Sequence, residues 1–360
     1  MALPVTDITQ RLVGPLALYD NVMRRVLART SASTSMTEQR AIFYQAVWRD
    51  AADSVGASVR ELGGRMLEIG RDGVTIRVRD NLTSLDDPVT LALAGDKPAV
   101  YRLLSAAGLP VPRHLVCRLD QLDQARTFAE SLGAPCVVKP AIDSAAGAGV
   151  TTGVTGERPL ARAMARAAAW SHQITIEEQV SGGNYRLLYL DGELLDAVLR
   201  RPPTVRGDGK STIAQLVKVE NAARVRGGMD AAQTVIRVDH DLRNTLRRQG
   251  LEMRSVPRAG EAVQVKTVVN DNRREDNEAA LDAVCPALAE AGAAAAVAVG
   301  ARLAGVDVIT GDPSVPLEES GGVVLEVNTT PGHHYHYKKR DGGTRVARMI
   351  LERLLGAHPG

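Results

Sequence analysis

At 360 residues the chain is long for a single core and suits two or three packed lobes. Hydrophobic residues at 44% and charged residues at 24% exclude a disordered chain, and a net charge of +2 argues against a dedicated nucleic-acid binder. The three cysteines lack metal spacing, the N-terminus lacks a basic-then-apolar leader, and the most apolar stretch (291–301) is about half the ~20 residues of a membrane span; a cytoplasmic protein is expected.

Helical spacing covers 16–29 and 38–55, the second placing Ile42, Phe43, Ala46, Val47 and Val55 toward one side. Alternation over 66–69 and 74–78 around Arg71-Asp72-Gly73 predicts a hairpin, so a small α/β domain is expected over 1–92. Asp96 caps a helix running to Ala107, with Pro98 in its first turn. A strand at 114–117, a helix at 122–132, a strand at 136–139, a small-residue loop from Asp143 to Gly149, a strand at 150–154, a helix at 159–170 and a strand at 174–178 complete a lobe over 93–179.

Residues 180–183 read as a hinge into a second lobe, 180–360. There, strands at 185–190 and 193–199 flank the two-residue turn Asp191-Gly192. Helices near 212–223 and 239–249 precede a strand at 263–268, a long alanine-rich helical region over 277–303, strands at 305–309 and 323–327, and a helix at 343–355. Strands followed by helices in each half predict two α+β lobes rather than one parallel sheet.

Phosphoryl transfer needs cations on the phosphates, backbone donors over them and acidic groups for Mg²⁺. Only seven of the 44 basic residues are lysine, which directs attention to where lysine is kept. Lys139 ends an apolar strand, where a charge is costly without a partner, and the loop after it carries Gly147 and Gly149, which let backbone approach phosphate oxygens. An edge strand with an exposed lysine is the bland alternative. Asp307 and Glu326 each lie in a short apolar strand, with Asn328 on the same face as Glu326. Carboxylates of this kind suit Mg²⁺, or else an edge salt bridge to arginine.

Gly207-Asp-Gly-Lys-Ser-Thr212 is not a P-loop, because Thr204 stands where the first glycine belongs. It reads as a mobile loop bringing Lys210 to phosphate, or as a plain turn before a helix capped by Ser211. His333-His-Tyr-His336 follows Asn328-Thr-Thr-Pro-Gly332 at the mouth of the expected site, where substrate recognition is favoured over a transition metal.

Taken together, Gly95-Asp-Lys97, Leu103 to Arg113, Val138-Lys139-Pro140 with its glycine loop, Ile176 to Gly182, Arg186-Leu-Leu, Gly207 to Ile213, Gly305-Val-Asp307, Leu325 to Asn328 and Pro331-Gly332 resemble the ATP-grasp superfamily, most closely the ATP-grasp module of cyanophycin synthetases. The resemblance covers about residues 88–345. It implies the ATP-grasp fold, two α+β lobes gripping ATP behind a small N-terminal α/β domain. By the same resemblance, Lys97 and Lys139 bind ATP phosphates under a loop from Ser144 through Gly147 to Gly149. Glu177, Glu178 and Val180 line the adenine pocket, largely through backbone groups of the last two, and Asn184 takes the ribose position. Asp307, Glu326 and Asn328 hold two Mg²⁺ ions, with Mn²⁺ able to substitute. Related ligases often place an arginine two residues before the metal aspartate to hold the reacting oxyanion; Gly305 stands there, and Arg200 and Lys266, with Asn270, are the expected substitutes. Arg273 and Arg274 replace a double glycine and, with His333 and His336, could select an anionic substrate.

The implied reaction is ATP-dependent joining of an amino-acid or peptide carboxylate to an amine through an acyl-phosphate. A phosphotransferase that stops short of amide formation is the alternative, and a non-catalytic nucleotide binder a further one. The expected partners are small amino-acid or peptide substrates, with no nucleic acid or membrane, in a homodimer. No sequence for the Mur-ligase-like module of cyanophycin synthetases is present, so a standalone ligase with a smaller product is expected.

Overall fold

The computed structural model describes residues 31–142, 147–226, 234–271 and 273–356, with backbone alone for 31–36. The helix expected over 16–29 and Ser144 lie outside the described residues.

Helix α1 (Ser31–Ser54) lies on a four-stranded antiparallel meander, β1 (Ser58–Gly63), β2 (Met66–Arg71), β3 (Val74–Arg79) and β4 (Leu82–Thr83). Phe43, Tyr44, Val47, Trp48 and Ala51 recur at helical spacing and bury their stripe on Leu67, Ile69, Ile76 and Val78, alternate residues of two strands. The β2–β3 turn places Asp72 at φ 52° and Gly73 at φ 82°, the left-handed pair a two-residue hairpin requires.

Helices α2 (Pro88–Gly95) and α3 (Lys97–Ala106) follow, Asp96 accepting the Ala99 amide as the α3 cap. Strands β5 (His114–Cys117), β6 (Cys136–Pro140), β7 (Thr151–Val154) and β8 (Ile174–Glu178) form an antiparallel sheet of order β5-β8-β6-β7. Helices α4 (Leu122–Ser131) and α5 (Glu157–Ala168) cover this middle lobe, whose core includes Ala125, Val138, Leu160, Met164 and Ile176.

Strands β9 (Gly183–Leu190) and β10 (Glu193–Arg200) make the expected hairpin, Asp191 at φ 49° and Gly192 at φ 80°. A small unit inserted after it holds β11 (Thr204–Arg206), α6 (Ile213–Arg226), α7 (His240–Arg248) and β12 (Ala262–Gln264) around a core of its own. The expected strand at 263–268 stops at Gln264, because the amides of Thr267 and Val268 donate instead to the Asp241 carboxylate. The long helix expected over 277–303 also breaks up. Residues Asn277–Ala279 form β13, paired with β10, and α8 (Pro286–Val299) begins only where Cys285 can cap it and Pro286 needs no amide partner.

Strand β14 (Leu303–Thr310), the short helix α9 (Leu317–Ser320), β15 (Val323–Asn328), the one-turn helix α10 (His334–Tyr337) and α11 (Val346–Gly356) complete the chain. The central sheet has the order β13-β10-β9-β14-β15, every pair antiparallel. Its two faces do different work. Leu187, Tyr189, Val306 and Val308 face α3 and α8, whereas Leu188, Leu190 and Leu303 join α1 and α11 in the first core. Helix α3, expected within the 93–179 lobe, therefore packs on the central sheet, and the N-terminal meander shares one core with that sheet. In α8, Gly292 sits against Tyr189, whose hydroxyl donates to the Ala289 carbonyl at 2.8 Å.

Candidate active site

On the face of the central sheet that carries Leu188 and Leu190, the next alternate residue along β9 is Arg186. The register sets Arg186 opposite Asp307, Asp307 opposite Glu326, and Asn184 opposite Arg200. The apolar floor under α1 and α11 thus turns into a charged strip toward one end of the strands. Arg186 grips Asp307 with both Nε and Nη2, the second at 2.9 Å, and Arg200 Nη2 reaches the same carboxylate at 2.9 Å. Asp307 is 4% exposed and Arg200 2%. Burial disfavours the carboxylate's charge, and the two guanidiniums outweigh it, holding its pKa below the ordinary value.

Arg200 also donates through Nε to Asn184 Oδ1 at 3.0 Å, while among the described residues its buried Nη1 has no hydrogen-bond partner. Asn184, expected at the ribose, is tied to this guanidinium. Gly305 leaves the space Arg186 uses: a Cβ there would come within 3.1 Å of the arginine side chain and 2.8 Å of Pro331. In the sequence the clamping residue Arg186 stands out only as the first residue of Arg186-Leu-Leu. Its role depends on a strand register between residues 121 apart, which no local pattern carries.

The lysines approach from the other side. Lys97, at the start of α3, places Nζ 3.6 Å from Glu326 Oε1. Lys139, 5% exposed, lies 2.7 Å from Glu177 Oε2 and donates to the Tyr101 hydroxyl at 3.1 Å. That hydroxyl donates to Glu177 at 2.9 Å and sits 3.2 Å from the carbonyl of Leu325, the neighbour of Glu326. Tyr101 therefore joins the middle lobe to the central sheet. Its only sequence signal is its place one helical turn after Lys97.

Gly147 and Gly149 take φ of 74° and 73°, a region closed to most side chains. A Cβ at Gly149 would stand 2.8 Å from Trp170 and Pro140. The Glu178 amide donates to the Arg113 carbonyl at 2.9 Å, and its side chain accepts the Arg113 amide; Val180 is half-buried two residues on.

Other expected residues lie elsewhere. Lys266, expected at the oxyanion, is fully buried between Asp239 Oδ2 at 2.6 Å and Asp271 Oδ2 at 2.9 Å, so its charge is already spent inside the inserted unit. Asn270 lies in a turn of the same unit, its carbonyl accepting from Thr234. Lys210 is exposed in a turn closed by Asp208, which accepts the amides of Lys210 and Ser211. Thr212, not Ser211, caps the following helix, exchanging reciprocal bonds with Gln215. Arg273 pairs with Glu220 at 3.1 Å, and Arg274 donates to the Lys339 carbonyl at 3.1 Å.

His333 and His336, expected at the substrate, are both fully buried. His336 donates Nδ1–H to Asp196 at 2.7 Å, and Lys339 reaches the same carboxylate at 3.1 Å. Burial pushes His333 down to about 3. The residue of this cluster that meets the charged strip is Tyr335, its ring centroid 5.7 Å from Arg186 Cζ and 5.3 Å from Arg200 Cζ.

The donors expected for Mg²⁺ suit a hard cation. Asp307 Oδ1 is taken by both arginines, while Oδ2 accepts only from Arg186. Glu326 makes one loose contact, and Asn328 donates Nδ2–H to the Gly305 carbonyl at 3.2 Å, leaving its amide oxygen for a metal. Among the described residues no group of three His, Cys, Asp or Glu side chains is arranged for a metal, so the set is two carboxylates and an amide.

The fold is the ATP-grasp fold. A crystal structure of a bifunctional glutathione synthetase from Pasteurella multocida shares the fold, with a TM-score of 0.54 and 24% identity, covering 84% of this chain and 41% of that one. Residues 103–198 match the family described as D-ala D-ala ligase C-terminus. Within this class the chain is similar over most of its length to cyanophycin synthetases: 31% identity to that of Trichormus variabilis over 324 residues, 86% of this chain and 36% of the relative. It is 29% identical over 283 residues to the glutathione biosynthesis bifunctional protein GshAB of Mannheimia succiniciproducens, 76% of this chain and 36% of the relative. The chain thus spans about a third of the length of these curated relatives.

Proposed function

We propose that the chain is an ATP-dependent carboxylate–amine ligase, forming an amide between an amino-acid or peptide carboxylate and an amine through an acyl-phosphate. The observation that carries this reading is the meeting of Lys97 and Lys139 from one side with Asp307 and Glu326 from the other, bridged by Tyr101.

In this reading Lys97 and Lys139 bind the ATP phosphates, Lys139 exchanging Glu177 for a phosphate oxygen, while the loop through Gly147 and Gly149 covers them. A substrate carboxylate oxygen attacks the γ-phosphorus, and ADP leaves with the pair of electrons from the broken P–O bond. The amine then attacks the acyl carbon, forming the C–N bond and a tetrahedral oxyanion; the nitrogen loses a proton, and collapse breaks the C–O bond and releases phosphate with its electron pair. Arg200 Nη1, buried and without a partner among the described residues, is the donor for the tetrahedral oxyanion, and the grip of Arg186 on Asp307 keeps that guanidinium in place. Asp307, Glu326 and Asn328 would hold two Mg²⁺, which neutralise phosphate charge when bound.

The relatives' names favour amide formation over simple phosphoryl transfer. Among the described residues no helix is long and apolar enough to cross a membrane. ADP release from Mg·ATP, screened over amino acids and dipeptides with hydroxylamine as trap, tests the reaction. The true acid substrate should yield a hydroxamate, and Lys139→Ala should abolish ADP formation in a folded protein. ADP formation without hydroxamate would favour a hydroxyl kinase, and near-normal turnover of Lys139→Ala would remove that lysine from the mechanism.

A further inference from the structure

The segment after Asn328 is held from two directions. On the central-sheet side, Asp196 of β10 takes His336 Nδ1 at 2.7 Å and Lys339 Nζ at 3.1 Å, and Lys339 also donates to Thr344 Oγ1 at 2.8 Å. On the opposite side stands the N-terminal meander with α1. The Tyr44 hydroxyl accepts the His333 amide at 3.1 Å and lies 3.4 Å from His334 Nδ1. Asn81 Nδ2 donates to the Thr330 carbonyl at 2.7 Å, while its Oδ1 accepts from Arg40 at 2.9 Å. The rings of Trp48 and Tyr44 meet that of His333 edge-on, at 5.3 and 5.8 Å. Between these anchors, His334 and Tyr335 have ring centroids 4.1 Å apart, and Tyr335 lies on both Arg186 and Arg200.

We propose that Tyr44 is a positioning residue for the ligase reaction. Through residues 330–337 it seats the Tyr335 ring on the two guanidiniums and so sets where Arg186 and Arg200 point. The N-terminal module then becomes a working wall of the site rather than a separate domain. This inference rests on the reading of these arginines as the cations of the reacting centre.

The physical argument is one of restraint. An arginine stem has many rotamers, and a face-on aromatic ring narrows them while attracting the cation. Helix α10 is a single turn, too short to hold its own orientation. The Asp196 anchor pins one end, and a turn pinned at one end can still swivel. The Tyr44 hydroxyl and Asn81 supply the second anchor. Tyr44 is fully buried, but Tyr44→Phe keeps the ring that packs on Phe43 and His333 and deletes only the hydroxyl contacts.

Selective ¹⁵N-arginine labelling tests this without any substrate, using Arg186→Lys and Arg200→Lys to assign the two Nε–H signals. Tyr335→Leu should shift both signals, because the ring current is gone. Tyr44→Phe, and independently Asn81→Ala, should shift both in the same sense by a smaller amount. Neither change should add a further shift in a Tyr335→Leu background, the non-additivity expected of residues in one chain of contacts. Unmoved signals in both Tyr44→Phe and Asn81→Ala, or fully additive shifts, overturn the proposal. In the ADP assay with the acid and amine found by screening, Tyr44→Phe should lower kcat by about tenfold with the KM for ATP unchanged. If Arg200→Lys keeps full kcat, the ligase role of the arginines fails while the NMR result stands by itself.

Discussion

Arg200 and Asp307 sit on strands separated by a third, yet their side chains meet at 2.9 Å on one face of the sheet. The intervening strand contributes Arg186, which grips the same carboxylate. Among the described residues the buried Arg200 Nη1 has no hydrogen-bond partner, so it is the guanidinium nitrogen left to meet an acceptor. Arg200→Lys keeps the charge and loses the planar fork. It should lower kcat for ADP release by about 100-fold, with the KM for ATP changed little. Full activity in this variant would show that another group meets the oxyanion.

Gly292 offers a prediction whose sign opposes helix propensity. Alanine is favoured over glycine in a helix interior by about 1 kcal/mol, and α8 is otherwise rich in alanine. A Cβ at 292 would collide with the buried Tyr189 hydroxyl, which is fixed by its bond to the Ala289 carbonyl. Gly292→Ala should destabilise the fold by about 1–3 kcal/mol, and Tyr189→Phe should recover part of that loss. Urea midpoints of the two single variants and the double variant decide it.

The buried imidazoles make stability fall toward acid. His333 is held neutral down to about 3 by burial, and His336 is also lowered because burial outweighs its bond to Asp196. In the unfolded chain both take up a proton near pH 6.5. Below that pH the unfolded state binds more protons, so stability rises with pH there and is lost as pH falls, by about 1.4 kcal/mol per unit for each imidazole that stays neutral. His333→Phe removes one such group. Among the described residues neither ring nitrogen of His333 has a hydrogen-bond partner, so the variant should be at least as stable at pH 7. Urea unfolding between pH 7 and 5 should show a flatter dependence; an unchanged slope would mean that His333 titrates normally.

The chain has two tryptophans, Trp48 behind the His333 segment and Trp170 beneath Gly149. If the loop through Gly147 and Gly149 moves onto phosphates, the indole of Trp170 changes its surroundings. Adding Mg·ADP to Trp48→Phe should alter the emission, and the same addition to Trp170→Phe should leave Trp48 emission unchanged. A silent Trp170 would mean that this stretch does not respond to nucleotide.

What could be read from the sequence was whatever the chain states locally. The turns at Asp72-Gly73 and Asp191-Gly192, the Asp96 cap, and the strands at 114–117 and 174–178 stand where turn chemistry and periodicity put them. Lys139, Asp307 and Glu326 also stand out in the sequence, because a charge in an apolar strand is conspicuous in any fold. The misses are relationships of pairing. Residues 277–279 leave a helical-looking run because β10 has an open edge for them. Lys266 carries the right charge but meets its two carboxylates first. His336 was read as a ligand-facing imidazole, and only the fold shows Asp196, 140 residues earlier in the chain, already holding it. Tyr101 gave no warning, since a tyrosine on a buried helix face is ordinary until its hydroxyl is seen between two lobes.

The absent side chain at Gly305 and the stem of Arg186 occupy one volume between adjacent strands. Pro331 presses on the same volume, 2.8 Å from where a Cβ would stand, so position 305 is hemmed in by a flexible stem and by a rigid ring. Vacating 186 would relieve only the stem's share of that crowding while stripping the carboxylate of its clamp, and a side chain at 305 would still meet the proline ring.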